Sequence, residues 1–195
     1  MPRKENFQLS RLDQIRALRS GERARIVQSL SLHGPSSVRD LATRMGRIPE
    51  SLYYHVSELV RVGLVHRVGT RPTRNRKEAL YDRVGPIAID PSQRSPAFLE
   101  AVGELYQSSL RATGRQLTRS LEEEHGRTGE RVRQGLVQHS ARLSPKAHRE
   151  LRKRLDELID FVIENEDPDE PEVTWVTFAY AATSDRRPVE ASPEE

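Results

Sequence analysis

Glu50, Ser51, Tyr53, Tyr54 and Ser57 fall within one short stretch, and the chemistry they offer together is hydrogen bonding rather than bond making. Carboxylate, hydroxyl and phenol groups at neighbouring positions both donate and accept, which is the repertoire that reads base edges in a nucleic-acid groove. Arg71, Arg74, Arg76 and Lys77 form a second cluster, set against the single acid Glu78. Such a density of cations resists close packing and suits a phosphate backbone. A basic loop taken alone is ordinarily just a solvated loop, so its meaning depends on what stands beside it.

Constellations that would make or break bonds are missing from the sequence. It holds no phosphate-cradling glycine loop, no Gly-x-Ser-x-Gly elbow and no His-Glu-x-x-His. The six histidines lie at positions 33, 55, 66, 125, 139 and 148, with no pair at three- or four-residue spacing. His139, His148 and Glu150 could converge on Zn²⁺ in a dimer, although histidines this scattered are ordinarily surface residues. His55 sits beside the core positions of its helix, where a bond to the backbone or a phosphate is the expectation. The expectation is a protein that is not an enzyme, with no catalytic residues, no metal site and no cofactor. With no cysteine in the chain, disulfides, thiolate metal sites and thiol redox switching are excluded.

The elements that must position the two clusters are legible in the apolar periodicity. Val38, Leu41, Ala42 and Met45 share one helical face, and Leu52, Val56, Leu59 and Val60 share another. Gly46 fits a tight turn between the helices, Ser37 an N-cap for the first, and Pro49 the first turn of the second. This is a helix-turn-helix whose second helix turns Glu50, Ser51, Tyr53, Tyr54, Ser57 and Arg61 outward. Two short β-branched runs, 64–68 and 80–84, flank the basic loop and predict a hairpin, the wing of a winged helix. Beside such a motif the loop is best read as a DNA contact. The candidate DNA-binding residues are Ser37, Arg47, Glu50, Ser51, Tyr53, Tyr54, Ser57, Arg71, Arg74, Arg76 and Lys77.

Segments 17–30, 38–45 and 52–65, followed by the Leu80-Tyr-Asp-Arg-Val84 return strand, resemble winged-helix transcriptional regulators of the ArsR type. The resemblance covers about the first ninety residues and is most specific in the run ending Gly63-Leu64-Val65. It implies that Ser51, Tyr53, Tyr54 and Ser57 face DNA, and that the chain dimerises through helices flanking the winged domain. Many members sense metals through cysteine pairs, and a chain without cysteine departs from that pattern.

Beyond the wing, three prolines and a glycine in 85–96 mark a domain boundary. A helix follows, carrying Phe98, Val102, Leu105, Tyr106, Ser109, Leu110, Thr113, Leu117 and Leu121 as a stripe up to the Gly126 region. That stripe either docks on its own winged domain or pairs two chains. Segment 135–143 predicts a strand, Ser144-Pro145 opens a helix through Leu151, Leu155, Leu158, Ile159 and Val162, and 173–180 predicts a second strand. Trp175 reads as a core or interface residue, and the acids of 164–172 as a solvated loop. The fold class is therefore mainly α with small β (α+β). It comprises a winged helix-turn-helix domain over 1–90, a helical and α+β dimerisation region with a possible effector site over 91–183, and a disordered tail over 184–195.

Lys and Arg number 32 against 29 Asp and Glu, giving a formal net charge of +3. The excess sits in the N-terminal arm and the wing, which orients the acidic C-terminal part away from phosphate. No apolar run is long enough to span a bilayer and no apolar leader opens the chain, so a cytoplasmic protein is expected. The expected function is sequence-specific binding of double-stranded DNA by a transcriptional regulator, as a homodimer on an inverted repeat, with its effector unknown. The alternative is a winged-helix protein-interaction module, for which so basic a wing has no use.

Overall fold

Helix α1 (Leu12–Leu18) begins a run of four short helices that wrap one apolar core, followed by α2 (Gly21–His33), α3 (Val38–Met45) and α4 (Pro49–Arg61). Ile15 from α1, Ile26 and Leu30 from α2, Leu41 from α3, and Leu52, Val56 and Leu59 from α4 are all essentially sealed from solvent. These positions recur at three and four residues because only that spacing keeps one face of a 3.6-residue helix turned inward. The computed structural model describes residues 6–73, 77–124, 135–137, 139–167, 170 and 173–181.

Local chemistry sets where the helices start and stop. Ser37 caps α3 by accepting from the Asp40 amide at 3.2 Å, while the Asp40 carboxylate accepts from the Ser37 amide at 2.9 Å, a reciprocal capping box. Gly46 ends α3 in the left-handed region, φ 62°, and the Arg47 amide reaches back to the Ala42 carbonyl at 2.9 Å. A side chain there would cost about 1–2 kcal/mol. Gly63 closes α4 in the same way, with φ 76° and the Leu64 amide donating to Leu59. Pro49 occupies the first turn of α4, where its missing N–H leaves no bond unmade.

The wing is a two-stranded antiparallel hairpin of β2 (Val65–Pro72) and β3 (Lys77–Arg83), longer than the apolar runs indicated. Its register shifts between Arg67 and Gly69, a bulge that inserts Val68. At its base Ser36 and Tyr81 exchange backbone hydrogen bonds of 2.9 Å, fixing the hairpin to the entry of α3.

A second sheet was not foreseen. Three-residue strands at Phe7–Leu9 and Ile87–Ile89 pair in parallel, so the stretch read as a boundary is partly ordered against the N-terminal arm. We name the later strand β4 and the earlier one β1. The long helix α5 (Pro96–Glu124) follows β4, and Phe98, Ala101 and Val102 of its first turns are buried in the winged core. The chain divides into units 1–136 and 137–195, so α5 goes with the winged domain rather than opening a new one.

Within the second unit, α6 (Pro145–Glu164) forms where expected, with Ser144 accepting from the Ala147 amide at 3.2 Å as its N-cap. None of its residues is buried. The strands expected at 135–143 and 173–180 are corrected: the described residues of both segments are not strands. β-propensity becomes a strand only when a neighbouring ladder satisfies the backbone, and among the described residues of this unit there is none. Val173, Trp175, Val176, Phe178 and Tyr180 are instead partly exposed. The tail expected to be disordered, 184–195, lies outside the described residues.

Candidate nucleic-acid interface

Helix α4 buries Leu52, Val56 and Leu59 and leaves the opposite side open. Glu50, Ser51, Tyr53, Tyr54 and Ser57 are all exposed, with Tyr54 at 65% the most open of the tyrosines on this helix. Steps of three, four and seven residues from Glu50 place Tyr53, Tyr54 and Ser57 along one stripe. The Ser51 hydroxyl donates to the Ile48 carbonyl at 2.8 Å, which fixes its rotamer. Tyr54 meets His55 edge to face, with ring centroids 5.5 Å apart. His55 Nδ1 is buried and has no hydrogen-bond partner.

The far end of the stripe is held by charge. Arg61 reaches Glu58 at 2.9 Å and Asp13 of α1 at 3.8 Å. The hydrogen bond from Arg61, together with its positive charge, outweighs desolvation and holds the Glu58 carboxyl below its usual range. Arg61 thus aligns α4 against α1, and the open hydrogen-bonding capacity is concentrated toward the N-terminal half of α4.

Ser37, Arg47 and Arg71 of the predicted residues have partners within the chain. Ser37 is only 2% exposed and its hydroxyl oxygen accepts from the Asp40 amide in the α3 cap, so it fixes the start of the first helix of the helix-turn-helix. Arg47 reaches across to Glu22 of α2 at 2.9 Å and braces the turn between α3 and α4. Arg71 donates to both Asp40 oxygens at 3.0 Å and to Glu78 at 3.3 Å. Lys77 is exposed, while Arg74 and Arg76 lie outside the described residues.

Sequence reasoning missed the clamp that Arg71 completes. Glu78, nearly buried at 9% exposure, accepts from Arg71 and lies 3.4 Å from Arg39 of α3. Asp40 therefore caps α3 and receives the wing in the same carboxylate. Desolvation opposes its charged form, but hydrogen bonds from Arg71 and Ser37, with the Arg71 charge, hold its carboxyl below the ordinary value. The only sequence signal for this was the lone acid in a basic loop. Its partner on α3, Arg39, lies 39 residues earlier, out of reach of any local pattern.

These elements, a helix-turn-helix with a hairpin wing tied to its first helix, form a winged helix that is mainly helical with small β content. A family model described only as HVO_A0114 matches residues 19–85, the span from α2 through the wing. No curated protein matches the chain. Among solved structures it is similar to RV1404 from Mycobacterium tuberculosis, at 19% identity over 76% of this chain and 81% of that one, TM-score 0.30. YusO from Bacillus subtilis is similar at 12% identity over 76% and 82%, TM-score 0.32. The transcriptional regulator Tm0710 from Thermotoga maritima is similar at 14% over 79% and 86%, TM-score 0.31. The winged helix is defined by its own elements, α3, α4 and the β2–β3 hairpin. Among the described residues no helix is long and apolar enough to cross a membrane.

Proposed function

We propose that the protein is a transcriptional regulator that binds double-stranded DNA sequence-specifically, with α4 as the recognition helix. The observation that carries this reading is the stripe of Glu50, Tyr53, Tyr54 and Ser57, a continuous hydrogen-bonding face on a rigid helix that the described residues of the winged unit leave exposed. A face of this kind fits the major groove, where each base pair presents a distinct donor and acceptor pattern. Lys77, Arg74 and Arg76 supply phosphate contacts from the wing. Arg47 and Arg71 act as positioning residues: one braces the turn, and the other holds the wing at a fixed angle to α3. The resemblance to regulators of the ArsR type supports the same reading, and a chain without cysteine departs from the thiolate metal sensing of many of them.

A homodimer on an inverted repeat completes the proposal. It is supported by Tyr106, Leu110 and Leu121 of α5, each more than half exposed on a helix whose first turns are firmly docked. The test is a salt series with purified protein and duplex DNA. Affinity that falls steeply and linearly on a log-log plot supports phosphate neutralisation. The absence of DNA binding at low salt would turn the reading to a protein-interaction module.

A further inference from the structure

Helices α1, α2 and α5 border an open cleft of about 380 Å³ on the winged unit, lined by none of the residues assigned to the interface above. Arg16, Arg19, Arg23 and Arg111 line it, and Glu104 is the only carboxylate among its lining residues. Arg19 pairs with Glu104 at 2.7 Å. The Arg23 Nε donates to the Ala17 carbonyl at 2.6 Å, which fixes the plane of its guanidinium. Arg16 and Arg111 have no ion-pair partner among the described residues. Every lining side chain is polar, Ser108 among them, whose hydroxyl donates to the Arg19 carbonyl at 3.5 Å.

Four guanidinium groups facing one space repel one another, and a single carboxylate neutralises only one of them. An anion relieves the remainder. Guanidinium forks match phosphate and carboxylate oxygens in pairs, so converging arginines select a compact ligand of high negative charge. The volume is that of a small-molecule site, yet the apolar lining typical of such sites is missing, which excludes a ligand held by its hydrophobic body. We propose that this cleft binds a small, multiply anionic ligand, of which a pyrophosphate-bearing metabolite is the chemical type. The site itself stands on the cleft and not on the DNA-binding reading.

DNA phosphates offer the same chemistry, so the test measures binding with no DNA present. Inorganic pyrophosphate is titrated into the full-length protein by calorimetry at neutral pH and low salt. Saturable binding at one site per chain is expected. Arg16→Ala and Arg111→Ala should each weaken it by about tenfold, the usual effect of losing one charge-assisted contact. Arg94→Ala, which removes a positive charge outside the cleft, should leave it unchanged. Glu104→Gln should tighten binding several-fold, because it frees Arg19, whereas loss of a merely structural ion pair would weaken or not affect it. Circular dichroism confirms that each variant is folded. The proposal is overturned if pyrophosphate does not saturate, or if Arg94→Ala weakens binding as much as Arg16→Ala does. It is likewise overturned if the cleft variants change only DNA affinity and its salt slope, which would make these arginines a backbone anchor.

Discussion

Tyr54 and Arg74 are asked to do different things in the proposed interface, and substitution should separate them. Tyr54→Ala removes a groove contact and should cost on the order of 1–3 kcal/mol at the operator with little effect on random duplex. Arg74→Ala removes a phosphate contact from each subunit of a dimer. It should weaken both duplexes alike and flatten the log affinity against log salt slope by about two units. Fluorescence anisotropy on both duplexes across a salt series reads the two effects at once. Asp40 gives a prediction in pH. Its carboxyl titrates below the ordinary value of 3.8 in the folded chain, so the clamp it forms with Arg71 stabilises fully above that value. The contribution is lost as pH falls through the lowered folded value. Acid unfolding of the wild type and Asp40→Asn, followed by circular dichroism, should show a gap above pH 3.8 that narrows below it. A constant gap would mean that the Asp40 charge does not hold the wing.

Helix α5 docks on the winged core at its start, and pairing of two chains is proposed for the rest of its stripe. Its first turns are buried on the winged core, whereas Tyr106, Leu110 and Leu121 stand open to solvent. Leu110→Glu with Leu121→Glu should therefore leave the winged unit folded but shift a dimer to monomer and weaken operator binding, as sedimentation and anisotropy would show. A monomeric wild type at micromolar concentration that binds a single half-site with full affinity would refute the pairing role. The helices were legible because burial imprints itself every three or four residues, as Leu52, Val56 and Leu59 do, and because Ser37, Gly46 and Pro49 mark their ends. The β1 and β4 pair was not, since three-residue strands carry too little alternation and their register is set by residues far apart in sequence. Segment 173–180 failed the other way, with strong local preference and no ladder to join. The outward face of α4 followed from its buried face. The roles of Ser37, Arg47 and Arg71 did not, because cap burial and ion-pair partners depend on how elements meet in space.

At the scale of the whole molecule, charge and chemistry constrain what could control it. No cysteine is present to bind soft metals, so As(III) and Cd²⁺ at stoichiometric amounts should not release the protein from DNA. Release by either would contradict the absence of a thiolate route, while release by Zn²⁺ alone would direct attention to His139 and His148. The proposed dimer links two recognition helices, which imposes a symmetry on the DNA that the monomer alone would not. Selection of bound duplexes from a random pool with the purified full-length protein tests that most directly. The expected product is an inverted repeat with half-sites about one helical turn apart, centre to centre. Recovery of no enriched sequence would contradict sequence-specific recognition by α4, the central claim.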